Sequence, residues 1–224
     1  MKLQIAEASK SYGRRLLFKD LSLEIEIGEI VGLFGRNGSG KSTLLKMMFG
    51  VLGADSLVIK IDGRRVPAKK VIRDKVVAYL PQDRFLPNQM SVRNIIPMYY
   101  KDEETLDKVF YAPGISSFDK LKYGELSEGQ KKYLEIVLLS HLDHPFMMLD
   151  EPFSMIDPNY KDLIKALLMK LKKTKGILVI DHYYQDILNI SDRNYLLKNG
   201  ALNEVEGEEA LQKNGYLSNR MKKQ

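Results

Sequence analysis

The chain has 224 residues, of which 44% are hydrophobic and 29% are charged, and its formal net charge is +6 at pH 7. This composition excludes an intrinsically disordered chain, and the lack of cysteine excludes disulfide scaffolds, thiolate metal sites and cysteine nucleophiles. The N-terminus has no secretory signal pattern and the apolar runs are shorter than the ~18 residues of a spanning helix, so we expect a cytoplasmic protein that does not cross a membrane by itself.

Short apolar runs alternate with helical patterns along the chain. Residues 21–27 alternate apolar and polar side chains, which predicts a half-buried strand. The runs at 30–34, 76–80, 146–149 and 177–180 are mostly apolar, which is typical of strands buried on both faces. These runs predict an α/β fold with a mostly parallel sheet and crossover helices.

Two stretches have clear helical character. Apolar side chains recur at three-and-four spacing over residues 158–173, after Asp157 as N-cap and Pro158 as the first helical residue. Residues 83–126 carry helical patterns at 91–99 and 103–110 and no strong strand pattern. We therefore expect an inserted helical subdomain in this part of the chain.

A glycine-rich loop follows the apolar run at 30–34. Gly35, four residues and then Gly40, Lys41 and Ser42 match the Walker A pattern between a predicted strand and a predicted helix, a context that disfavours the alternative of a merely flexible turn. Such a loop surrounds phosphate oxygens with backbone N–H groups, while the lysine reaches the terminal phosphates and the serine ligates magnesium. We expect a nucleotide to contact Gly35, Asn37, Gly38, Ser39, Gly40, Lys41, Ser42 and Thr43.

Two adjacent carboxylates end the apolar run at 146–149. Asp150 and Glu151 would lie at the carboxyl edge of the sheet, where ligands bind in open α/β sheets. Asp150 can hold magnesium there, and Glu151 is a candidate general base. The alternative is that two acids and the following Pro152 simply form a solvated turn, which the coexisting Walker A pattern disfavours.

Residues 126–130, with the sequence LSEGQ, precede this carboxylate pair. Ser127 followed three residues later by Gln130 is also a capping box, so a structural helix start explains the same residues. The segment resembles the signature motif of ATP-binding-cassette (ABC) proteins, and the two interpretations are compatible because a capped helix N-terminus also suits an anion. Glu128 stands where the commonest family signature has glycine, and we expect its carboxylate to point away from the phosphates.

The resemblance to the ABC family extends over nearly the whole chain. It implies that Tyr12 stacks on adenine, that Gln82 contributes to catalysis and to the magnesium site with Ser42 and Asp150, and that residues 154–157 form the loop before the helix at 158. It further implies that His182 acts beside Glu151, and that Ser127, Gly129 and Gln130 bind the ATP of a second subunit. The implied fold is a P-loop NTPase core with an antiparallel β subdomain on the N-terminal side, formed by residues 1–82 and 146–224, and a helical subdomain at 83–145.

The function implied by the resemblance is ATP hydrolysis with Mg²⁺ in a homodimer that powers an integral membrane permease from the cytoplasmic face. Phe85, Met90, Tyr99 and Tyr100 are candidates for the docking surface, with core packing as the alternative for each. A soluble ABC-type ATPase that remodels a nucleoprotein, a ribosome or an assembly complex remains a second hypothesis, and a regulatory module without turnover is a third. The scattered basic pairs predict no direct contact with nucleic acid.

Overall fold

The structure, a computed structural model, describes residues 1–217, which contain ten strands, eight α-helices and two single-turn 3₁₀ helices at Ile115–Ser117 and Tyr123–Glu125. The strands are β1 (Lys2–Tyr12), β2 (Arg15–Glu26), β3 (Ile30–Phe34), β4 (Ser56–Ile61), β5 (Arg64–Val66), β6 (Val77–Leu80), β7 (Phe146–Asp150), β8 (Gly176–Ile180), β9 (Arg193–Lys198) and β10 (Ala201–Glu204). The helices are α1 (Lys41–Phe49), α2 (Ala68–Arg73), α3 (Val92–Tyr99), α4 (Glu103–Phe110), α5 (Glu128–Ser140), α6 (Pro158–Leu171), α7 (Tyr184–Leu188) and α8 (Gly207–Lys213).

The strands form two sheets. A four-stranded antiparallel sheet has the order β2-β1-β4-β5, and a six-stranded sheet has the order β10-β9-β3-β8-β7-β6. In the larger sheet only β10 is antiparallel to its neighbour. This architecture confirms the predicted α/β fold with a mostly parallel sheet and an antiparallel sheet from the N-terminal part of the chain.

The apolar runs occupy the centre of the larger sheet. Every residue of β3, β7 and β8 is buried, because helices or the smaller sheet cover both faces of these strands. Parallel pairing brings the carboxyl ends of β6, β7 and β8 to one edge, where Leu80 is in register with Leu149, and Asp150 with Ile180. The loops that carry Gln82, Glu151 and His182 leave the sheet at this edge.

Helices α3, α4 and α5 lie between β6 and β7. The predicted boundaries at 103–110 are confirmed, and α6 begins at Pro158 with the Asp157 side chain accepting a hydrogen bond from the Tyr160 amide. Helix α6 ends at Leu171, two residues before the predicted end, where the amides of Thr174 and Lys175 turn back to the Leu171 carbonyl. No helix within residues 1–217 has the length and hydropathy needed to span a bilayer.

The candidate docking residues differ in exposure. Tyr100 is buried and its hydroxyl donates to the Leu138 carbonyl, so this side chain belongs to the core beside α5. Phe85 is 38% exposed, whereas Met90 and Tyr99 are partly buried against the same core. The docking interpretation is therefore wrong for Tyr100, and Phe85 remains accessible.

Candidate functional site

The glycine-rich loop connects β3 to α1 as predicted. Gly38 and Gly40 have φ values of 74° and 106°, in the left-handed region that side chains disfavour. A Cβ atom on Gly40 would also lie 2.8 Å from Leu17 Cδ2, since β2 packs directly against the loop. The loop thus needs glycine here both for its backbone turn and for its contact with β2.

Lys41 is the first residue of α1 and its side chain is directed back into the loop. It is only 8% exposed, and Nζ donates to the Gly35 carbonyl at 2.6 Å. Burial lowers the pKa of the Lys41 amine, and the negative charges of Glu151, Asp150 and Asp181 partly offset this effect. A buried cation within a loop of backbone N–H groups is suited to the terminal phosphates of a nucleotide.

Ser42 and Asp150 meet between α1 and β7. The Ser42 hydroxyl donates to Asp150 Oδ1 at 3.1 Å, and the Tyr79 hydroxyl donates to Oδ2 at 3.3 Å. Burial raises the pKa of Asp150, whereas the two hydrogen bonds act in the opposite direction. A hydroxyl and a carboxylate oxygen are hard donors that suit Mg²⁺, which takes its remaining ligands from water and phosphates, so these residues fit the expected ion.

Glu151 is held between two polar side chains from neighbouring loops. Its Oε1 lies 2.8 Å from His182 Nε2, and Gln82 Nε2 donates to its Oε2 at 3.2 Å. The Glu151 amide donates to the Ile180 carbonyl at 2.8 Å, although the residue has a left-handed φ of 57°. The sheet therefore fixes the backbone of Glu151 while the unusual φ directs its side chain toward His182 and Gln82.

These side chains border a single cleft. Its volume is about 340 Å³, and it is lined by Asn37, Gly38, Gly40, Lys41, Ser42, Thr43, Gln82, Glu151 and His182. The structure thus brings together most of the residues predicted from the glycine-rich loop and from the loops after β6, β7 and β8. Gln82 lines this cleft beside Glu151, and its side-chain amide nitrogen donates a hydrogen bond to Glu151.

Several predicted nucleotide contacts do not line the cleft. Tyr12 is 52% exposed at the end of β1, with the ammonium of Lys10 5.2 Å from its ring centre. Ser127, Gly129 and Gln130 are also absent from the lining residues. The roles of Tyr12 and of these three residues remain predictions. Within one chain, the three residues do not line the cleft that contains Lys41.

The start of α5 has the predicted capping box. The Ser127 hydroxyl accepts from the Gln130 amide at 3.2 Å, and Gln130 Oε1 accepts from the Ser127 amide at 2.9 Å. A Cβ atom on Gly129 would lie 2.7 Å from Tyr160 Cδ2 and 2.9 Å from Asp157 Oδ2. Glycine is needed here because α5 approaches the start of α6 so closely.

Asp181 is a functional candidate that the sequence reasoning missed. It is fully buried and accepts from the Phe153 amide at 2.6 Å, the Ser154 hydroxyl at 3.0 Å and the Tyr183 amide at 3.0 Å. Burial raises its pKa, which these hydrogen bonds oppose. Asp181 thereby joins the loop after β7 to the loop that carries His182, and its position as an acid ending a buried strand is the signal that could have identified it.

A second cavity adjoins the glycine-rich loop. It has a volume of about 720 Å³, and the basic residues Arg15, Lys19, Arg36 and Lys198 contribute to its lining. Basic side chains beside the loop produce a positive local potential. This potential favours an anionic ligand, and composition alone had not identified it because Arg15 and Lys19 are distant in sequence from Arg36 and Lys198.

Comparison with known proteins gives consistent matches. The family model described as "ABC transporter" matches residues 18–154. The chain is 34% identical over 205 residues to a "Probable ABC transporter ATP-binding protein" of Azorhizobium caulinodans, covering 87% of this chain and 73% of that protein. It is 32% identical to the "Lipopolysaccharide export system ATP-binding protein" of Acidithiobacillus ferridurans, covering 89% and 88% of the two chains.

Solved structures agree with the sequence matches. The crystal structure of "a nucleotide-free ATP-binding cassette from an ABC transporter" is 25% identical, covers 95% of this chain and 94% of its own, and superimposes with a TM-score of 0.79. The structure of an "ATP binding subunit of ABC transporter" has a TM-score of 0.81 at 23% identity, with 96% and 94% of the two chains covered. The fold is therefore shared over nearly the whole chain.

Proposed function

This chain belongs to the ABC transporter family, and we propose that it binds and hydrolyses ATP as the energy-supplying subunit of a membrane transporter. The observation that carries the proposal is the position of Glu151, between His182 and Gln82 and in the same cleft as Lys41. A carboxylate held in this way beside a phosphate-binding loop is suited to orient and deprotonate a water molecule. A module that only bound nucleotide would not need this arrangement.

Each side chain of the cleft would have its own role in phosphoryl transfer to water. Lys41 would exchange the Gly35 carbonyl for phosphate oxygens, and its charge would stabilise the negative charge of the transition state. Ser42 and Asp150 would hold Mg²⁺, with Gln82 as the further predicted ligand, and the ion would supply additional positive charge at the phosphates. Glu151 would accept the proton of the attacking water, and His182 would fix the orientation of the Glu151 carboxylate.

Removal of the Lys41 amine tests hydrolysis directly. We expect Lys41→Ala to lose measurable phosphate release, because the buried cation of the loop is gone. Lys69→Ala removes an equal charge from an exposed position of α2 and should retain full turnover. Equal activity of Lys41→Ala and the unmodified chain would refute the proposed site.

Two copies of the chain would complete the site. The positions of Ser127, Gly129 and Gln130 outside the cleft support this part of the proposal, since a second copy related by a two-fold axis could supply them. Sedimentation of a Glu151→Gln variant should show dimers with ATP and monomers without it. A monomer under both conditions would contradict the shared site.

The family and the transport systems named for the relatives support the proposal of a membrane partner. We expect an integral membrane permease to hold the chain at the cytoplasmic face of the membrane, with the exposed Phe85 beside the Gln82 loop as a candidate contact. Purification from detergent-solubilised membranes, followed by identification of co-purified proteins, tests this expectation. Recovery of soluble partners alone would favour the assembly-remodelling ATPase instead.

A further inference from the structure

Arg84 connects the Gln82 loop to the first two turns of α5. It follows Gln82 by two residues, and its guanidinium contacts two carboxylates of the helix. Nη2 donates to Glu128 Oε2 at 2.6 Å, and Nη1 donates to Glu135 Oε2 at 2.9 Å. The two glutamates are seven positions apart, so they lie on the same face of the helix about 10 Å apart along its axis.

Glu135 is the fixed end of this connection. Its side chain is fully buried, and its second oxygen accepts from the Tyr123 hydroxyl at 2.6 Å. Both oxygens of Glu135 are therefore hydrogen-bonded. The planar guanidinium of Arg84 is held in one orientation as a result, because its fork geometry permits few alternatives.

Glu128 is the end of the connection that concerns the nucleotide. It is the first residue of α5, between Ser127 and Gly129, and its side chain is half exposed. Lys131 Nζ lies 2.9 Å from Oε1, so each oxygen of Glu128 contacts a cation. The hydrogen bonds from Arg84 and Lys131 lower the pKa of Glu128 from its ordinary value of 4.5, so the carboxyl group is ionised at neutral pH.

An ionised carboxylate at this position would repel a triphosphate if it were free to turn toward one. We propose that Arg84 is a positioning residue that holds the Glu128 carboxylate away from the surface of Ser127, Gly129 and Gln130 that faces ATP. Glu135 anchors Arg84, and Lys131 is the second partner of Glu128. The inference rests on the proposed function and explains how a signature segment with glutamate in place of glycine is compatible with nucleotide binding.

The test combines three variants: Arg84→Ala, Glu128→Gly and the double variant. We expect Arg84→Ala to raise the KM for ATP about tenfold at low salt, the order expected for one released charge near a triphosphate. The increase should become smaller at high ionic strength, because salt screens exposed charges. Arg93→Ala, which removes an exposed arginine paired with Asp119, is the matched control and should leave KM unchanged.

The double variant distinguishes the positioning of the Glu128 carboxylate from an effect on the stability of the fold. Glu128→Gly in the Arg84→Ala background should return KM to within about twofold of the starting value, because the released charge is gone. The melting temperature should stay lowered, since the buried Glu135 still lacks its cation. An unchanged KM in Arg84→Ala, or a raised KM that Glu128→Gly does not restore, would overturn the proposal.

Lys131→Ala covers the case in which Arg84→Ala does not fold. It releases one oxygen of Glu128 and leaves the buried Glu135 untouched. We expect a smaller increase in KM, again restored by Glu128→Gly, and no increase would count against the inference. A wild-type chain without ATP turnover would refute the proposed function itself, whereas failed restoration in an active chain refutes only the role of Arg84.

Discussion

The two halves of the proposed site are built in different ways. The catalytic edge, which consists of Lys41, Asp150, Glu151 and His182, follows buried strands whose register sets the position of each residue. The start of α5 is instead held by side-chain contacts, namely the capping box and the ion pairs of Glu128. Backbone pairing positions the part that would do chemistry, whereas side-chain contacts position the part that would meet a second copy.

This difference predicts that variants at the catalytic edge have larger effects than variants at the start of α5. After the complete loss expected for Lys41→Ala, the next largest effect is expected for Glu151→Gln, because it removes the candidate base with almost no change in the volume of the side chain. Turnover should fall about 10²- to 10⁴-fold, measured as phosphate release with saturating ATP. Glu7→Gln is a matched control, since Glu7 is also a non-glycine residue with positive φ but lies exposed on β1.

Asp181→Ala tests the stability of the same edge. The change leaves three buried or part-buried donors without their acceptor, so we expect a loss of about 3 kcal/mol in the free energy of unfolding. Denaturant titration gives this value. Asp162→Ala, which removes an exposed carboxylate of α6, should change stability by less than about 0.5 kcal/mol. Equal effects of the two variants would mean that Asp181 does not join the loops.

Gly129→Ala tests the contact between α5 and α6. The added methyl group would overlap Tyr160 and Asp157, and we expect a loss of about 1–2 kcal/mol because both neighbours must shift. Gly53→Ala places its methyl group in open space without a positive φ and should be neutral or slightly stabilising. If Gly129→Ala lost more free energy of unfolding than Asp181→Ala, the start of α5 would be the more sensitive region, which would contradict the comparison.

The smallest effect concerns the charge of Glu128. Its folded-state pKa is lower than the ordinary value of 4.5, so its ion pairs stabilise the fold above that pH and this contribution disappears as the pH falls through the folded-state pKa. Wild type should exceed Glu128→Gln in stability by about 0.5 kcal/mol at pH 7, as expected for an exposed pair. The difference should vanish under acid conditions in thermal melts, and a constant difference would argue against ion pairing.

Local patterns predicted much of the fold and of the candidate site. The apolar runs identified β3, β7 and β8, and residue spacing identified the loop before Lys41 and the capping box at Ser127. These features depend on residues that are close in sequence, so local physics is sufficient to predict them.

Contacts between distant segments could not be predicted in the same way. The pairing of Arg84 with Glu128 and the hydrogen bond from Tyr79 to Asp150 depend on strand register and on loop conformation. The burial of Tyr100 depends on how the end of α3 packs against α5, which the periodicity of each helix alone does not determine. Tertiary packing therefore decided the interpretation of Tyr100, which the sequence had left open.

The left-handed backbone conformation of Glu151 implies a conflict between thermal stability and activity. Glycine adopts such a conformation more readily, and replacing Glu151 by glycine would relieve strain of about 1 kcal/mol while removing the candidate base. A laboratory selection for heat resistance alone would thus favour an inactive chain at this position. Persistence of glutamate during such a selection would require simultaneous pressure for ATP turnover.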